Sequence, residues 1–167
     1  MTDAVALERI SELQDEILRF TWDQVADRVD TFYVQGKVSD DESGRILMVS
    51  GNMPFGVRNG RLVKNSELLT DEEFDANSAH ILPRIEELHD LLFASQGKSP
   101  VRFRWVVDTR TGRVESDWTY YDDLSDTEKK DDFWAGWKGD FAWMDEIQAH
   151  LLAAQAAAPL GRGHDTP

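Results

Sequence analysis

The chain contains no cysteine, which excludes disulfides, thiolate nucleophiles and cysteine metal sites and fits a reducing compartment. It also lacks any apolar run of membrane length, and Asp3, Glu8, Glu12, Asp15 and Glu16 fall where a secretory leader would keep its apolar core. A cytoplasmic protein that does not enter a membrane is therefore expected. There is no glycine-rich phosphate loop and no nucleophile elbow of the G-x-S-x-G kind. The four histidines, His80, His89, His150 and His164, never recur at the helical spacing that sets two imidazoles on one face. His80 and His89 read as surface residues of a helix, and no metal or other cofactor is expected.

Positive charge is the next scarcity: 18 basic side chains stand against 32 acidic ones, a net charge of −14. Such a surface repels nucleic-acid phosphates and anionic membranes, so a partner selected by charge is a basic one. Apolar material is not scarce. At 167 residues, 41 % hydrophobic, with six Trp, eight Phe and three Tyr, the chain suffices for one domain that buries roughly two thirds of its unfolded surface. The composition places this domain at 1–152 and leaves an alanine-rich, then glycine- and proline-bearing tail at 153–167 expected to be disordered.

Periodicity supplies the elements. Ala6, Ile10, Leu13, Ile17 and Phe20 recur every three or four residues and predict an amphipathic helix capped by Thr2. From Val25 to Val38 β-formers take over, and the acidic turn from Ser39 to Gly44 leads into 45–50, which predicts a hairpin. Asn59-Gly60 between Val57 and Leu62 signals a tight β-turn. Thr70 to Glu73 has capping-box spacing ahead of an apolar stripe, Phe74, Ile81, Ile85, Leu88 and Leu92, that stops at Gly97. Pro83 must kink this helix or restart it.

The clearest pattern is the alternation of Val101, Phe103, Trp105 and Val107 with Arg102, Arg104, Val106 and Asp108 before the turn 109–112. Pairing Asp108 with Arg113 sets Phe103 opposite Trp118 and Val101 opposite Tyr120 on one face, and Arg104 opposite Asp117 on the other. Ser125 to Glu128 is a second capping box, opening a helix with Phe133, Trp134 and Trp137 that ends at Gly139, and a last helix is expected from about Asp140 to Leu152. The fold class is α+β: an antiparallel sheet of about five strands built from hairpins, with N-terminal, middle and C-terminal helices packed on it.

Between Asp108 and Glu146 lie twelve acidic and five basic side chains among Trp118, Tyr120, Tyr121, Phe133, Trp134, Trp137 and Trp143. Most of these rings fill the core. Charges just beyond the last strand are left over, because Asp117 has Arg104 as its cross-strand partner. Tyr121, Asp122, Asp123, Asp126, Asp131 and Asp132 are thereby the candidate partner-binding residues; rings supply buried area and charges speed encounter with a basic protein. A catalytic role would need carboxylates brought in from different elements, such as Asp108 with Asp122, and no nucleophile, base and orienting group can be placed together.

The order of these elements, with Gly112-Arg-Val-Glu-Ser-Asp-Trp-Thr-Tyr-Tyr-Asp-Asp-Leu124 followed by Phe133-Trp-Ala-Gly-Trp137, resembles the YezG-like antitoxin family, immunity proteins of polymorphic toxin systems. The resemblance runs over roughly Ala4 to Phe141 and departs from the family around Ser50 to Asn65. It implies an α+β fold, no enzyme activity, and neutralisation of a secreted protein toxin, many of which are nucleases, by occluding its active site. A cytoplasmic secretion chaperone or adaptor for an exported protein is the alternative, since it too works through a protein interface.

Overall fold

A computed structural model describes residues 3–40, 45–50, 54–130 and 137–158. Helix α1, Asp3–Val25, is built on a stripe of Ala6, Ile10, Leu13, Ile17, Thr21 and Val25, all buried. That spacing carries the helix to Val25 although the residue is β-branched, so the expected strand starts later. Ala26 and Arg28 close the helix with amides on the Trp22 and Val25 carbonyls, both at 2.9 Å. Phe20 leaves the stripe and stacks on His80 at 4.1 Å.

Six strands follow, one more than about five: β1 Thr31–Asp40, β2 Ile46–Ser50, β3 Phe55–Arg58, β4 Arg61–Val63, β5 Arg102–Asp108 and β6 Val114–Thr119. They form one antiparallel sheet in the order β4-β3-β1-β5-β6. β1 is the axis. One of its edges pairs along its length with β5, while the other pairs first with β3, through Thr31–Tyr33, and then with β2, through 37–40. The β3–β4 connection is the expected tight turn, with Asn59 and Gly60 at φ of 52° and 72°, the left-handed values a two-residue hairpin needs.

Helices α2 (Asn65–Leu68) and α3 (Asp71–Gln96) come between β4 and β5. The Thr70 capping box forms in both directions, and Gly97 ends α3 in the left-handed region at φ 73°. Pro83 lies within this single helix without splitting it. The carbonyl left without its helical donor by Pro83 is that of Ala79, four residues earlier; next to it, the His80 carbonyl accepts a bond of 2.8 Å from Arg84 Nη1.

α1 and α3 cover one face of the sheet. Ile10, Leu13 and Ile17 from α1 and Ile81, Ile85, Leu88 and Leu92 from α3 close over Phe32, Val34, Val38, Phe103, Trp105 and Val107. The seam between the helices is polar: buried Asn77 donates to Thr21 Oγ1 at 3.1 Å and to Gln24 Oε1 at 2.7 Å. His89 is fully buried on α3, contrary to its expected surface position. It falls four residues after Ile85 on the inward stripe.

The second face is covered by α5, Trp137–Ala157, which runs on through Gly139 and past Leu152. Trp143 and Met144 pack on Phe55 and Leu62. The residues 153–157, assigned above to a disordered tail, are helical. Alanine is the best helix former, and Gln155 Nε2 adds a bond of 3.0 Å to the Gly60 carbonyl. Among the described residues no helix is long and apolar enough to cross a membrane.

Candidate protein interface

The expected hairpin register holds: Phe103 opposes Trp118, Arg104 opposes Asp117, and the Asp108 amide reaches the Arg113 carbonyl at 3.0 Å. Beyond β6 the chain turns through a single 3-10 turn, Tyr121–Asp123, into α4, Asp126–Lys130. Four of the six candidate residues are placed here. Tyr121, Asp122, Asp123 and Asp126 are all exposed, Tyr121 at 47 %. Asp131 and Asp132 lie outside the described residues.

The four do different work. Asp123 Oδ2 accepts the Tyr120 amide at 3.0 Å and so fixes the turn. Lys129 Nζ sits 5.2 Å from the Tyr121 ring centroid. Asp122 and Asp126 make no ion pair among the described residues. Glu128, not in the candidate set, is partly buried and engaged within the protein: it accepts the Ser125 amide at 2.8 Å and Arg102 Nη1 at 3.1 Å. Burial works to raise its pKa, but those donors hold it below the ordinary glutamate value.

One expected contact is absent. Register places Arg104 beside Asp117, yet the guanidinium turns inward: Nε donates to Gln35 Oε1 at 2.8 Å, and the group lies 4.7 Å over the Trp143 ring. Burial, with Arg102 alongside, lowers its pKa to about 10, so it stays charged at neutral pH. A buried ring face and an amide oxygen satisfy it better than an exposed carboxylate does. Asp117 is left exposed, without an ion pair among the described residues.

At the opposite end of the same strand lies a feature the sequence did not announce. A groove of about 440 Å³ runs between α1 and the β5–β6 hairpin, floored by Leu18, Trp22, Phe32, Val107 and Val114 and rimmed by Asp15, Arg19 and Asp23. Its sheet residues form one row: Phe32 pairs with Val107, and Val107 with Val114. Leu18 and Trp22, one helical turn apart and off the main stripe of α1, were the available signal.

Asp108 and Asp122 do not meet. The first is taken up by its own loop, where Oδ1 accepts the Arg110 and Thr111 amides at 2.9 and 2.8 Å; the second follows the far end of β6, six residues or about 20 Å away. No group of three metal-ligating side chains occurs among the described residues. Neither a protein-family model nor a curated protein matches the chain.

Proposed function

We propose that this protein is an immunity protein that binds a basic secreted toxin and neutralises it by covering its active site. The observation that carries the reading is the exposed turn after β6, where exposed Tyr121 is followed by Asp122 and Asp126, carboxylates without an ion pair among the described residues. An exposed aromatic residue in the same turn as two unpaired carboxylates suits capture of a cationic surface. The net charge of −14 extends that attraction over the whole molecule.

Co-expression with each large secreted protein encoded beside it tests the function. Rescue from toxicity, co-purification at one-to-one stoichiometry and loss of the partner's enzymatic activity are the expected results. A partner that stays active in the complex is being chaperoned for export instead, and absence of both rescue and complex overturns the proposal. The site is tested by Asp122→Lys with Asp126→Lys, which spares the capping carboxylate of Asp123. Association with the captured toxin should slow about tenfold at low salt and less at high salt; an unchanged low-salt rate removes this turn from the interface.

A further inference from the structure

β6 is the last strand of the sheet, and among the described residues nothing pairs with its outer edge. In an antiparallel ladder alternate residues turn their backbone groups toward the neighbour. Because Asp108 bonds Arg113, the alternation turns Glu115 and Asp117 toward β5 and leaves the amides and carbonyls of Val114, Ser116 and Trp118 facing outward. Such an edge is a template for another strand unless something guards it.

The guard here is selective. Glu115 and Asp117 share the face away from α1, both exposed. Opposed residues in an antiparallel ladder lie on the same face, so the two-fold pairing of β6 with a second copy that is centred on Ser116 sets Glu115 against Asp117, which is unfavourable. A strand carrying lysine or arginine on that face meets the opposite situation. Asp117 has no ion pair among the described residues, and Glu115 has only the exposed contact with Arg113 at 3.0 Å, an interaction of a kind worth little.

The other face specifies what alternates with the basic residues. There the row Phe32, Val107, Val114 crosses the sheet along the floor of the groove and stops at the edge, with Val114 44 % exposed. The next position in that row belongs to an added strand. An apolar side chain placed there extends the row and reaches the mouth of the groove beside Leu18 and Trp22.

We propose that the outer edge of β6 accepts an extended partner segment as a seventh, antiparallel strand, with an apolar residue opposite Val114 and basic residues opposite Glu115 and Asp117. Read from its N-terminus, the segment is basic, any residue, basic, apolar. This rests on the reading that the protein binds a basic protein, and it adds the mode of binding: strand addition, in which main-chain bonds supply affinity and alternate side chains supply specificity.

The test uses the full chain, isotope-labelled for NMR, and the peptide acetyl-Val-Lys-Thr-Lys-Phe-Thr-amide, whose Phe is designed to oppose Val114 and whose lysines oppose Glu115 and Asp117. Saturable shifts at the β6 amides and the Trp22 indole are expected. Exchanging both lysines for glutamate, or Phe for Ser, should weaken binding about tenfold, and N-methylation of the Thr and Phe amides opposite Ser116 and Val114 should abolish it. Glu115→Lys combined with Asp117→Lys, both at exposed sites, should reverse the preference toward the glutamate peptide, and Asp117→Lys alone should reduce the preference for the lysine peptide. Equal binding of the lysine and glutamate peptides, tolerance of N-methylation, shifts elsewhere, or no saturable shift at roughly millimolar peptide each overturn the proposal. Toxin neutralisation without peptide binding leaves the immunity reading standing and this one refuted; peptide binding without a neutralised toxin does the reverse.

Discussion

Gly36→Ala probes a close approach of α3 to the sheet. A methyl group on Gly36 lies 2.5 Å from Ile85 Cδ1 and 2.9 Å from Cγ1, whereas carbon atoms at rest stand about 3.5–4.0 Å apart. Ile85 is fully buried and has no free space to turn into, so α3 must lift by roughly 1 Å or Ile85 must leave its rotamer, at a cost of about 1–3 kcal/mol. Alanine narrows the unfolded ensemble and returns about 0.4–1 kcal/mol. The net expectation is a loss of about 1–2 kcal/mol, read from equilibrium urea unfolding followed by tryptophan fluorescence. Ile85→Val removes the nearest atom and alone costs about 0.5–1.5 kcal/mol. Combined with Gly36→Ala it removes the closer of the two overlaps, so the double variant should be more stable than the sum of the singles by about 0.5–1 kcal/mol. Additive costs would refute the claim that this contact sets the spacing of helix and sheet.

Glu73 binds Arg28 with both oxygens, at 2.6 and 2.9 Å, and also accepts the Thr70 amide. Its pKa is lowered from 4.5 to about 2; a depressed carboxylate stabilises the fold above its unfolded pKa and loses that contribution as pH falls through the folded one. The stability gap between wild type and Glu73→Gln should therefore be constant above about pH 4.5 and close toward pH 2; a gap independent of pH contradicts the assignment. Trp143→Ala removes an indole that meets Tyr33 and Phe55 edge-on at 5.3 and 5.5 Å and covers Arg104. It should cost about 3–5 kcal/mol and open α5 to limited proteolysis, and a cost below about 0.5 kcal/mol would mean that α5 is not anchored there. Asn77→Ala removes the donor to Thr21 Oγ1 and Gln24 Oε1 in the seam between α1 and α3 and should cost about 1–3 kcal/mol in thermal unfolding, whereas a neutral result would leave that network without a stabilising role.

Local chemistry by itself determined much of this fold. The capping boxes at Thr70 and Ser125, the turn at Asn59-Gly60 and the stop at Gly97 are satisfied by atoms within a few residues, so sequence spacing is enough to read them. The register of the β5–β6 hairpin was equally legible, since the Asp108–Arg113 closure and the alternation of Phe103 and Trp105 agree on one alignment. The exposed acids of the turn after β6 followed from the same register, by counting which side chains fall beyond the strand.

What the tertiary structure alone decided depends on groups far apart in the chain. Val25 became helical because its place on the α1 stripe buries it completely against the core, which outweighs the weak strand preference of a branched side chain. His89 went inside for the same reason, on the stripe of α3. Arg104 abandoned Asp117 for Gln35 and Trp143, residues 69 and 39 positions away that reach it only after β1 and α5 have packed. The groove needs Leu18 and Trp22 set beside Val107 and Val114, and the open edge of β6 needs the full strand order. Sequence periodicity reports which face of an element is apolar; it does not report which element lies across from that face, because that choice is made by burial and shape over the whole core.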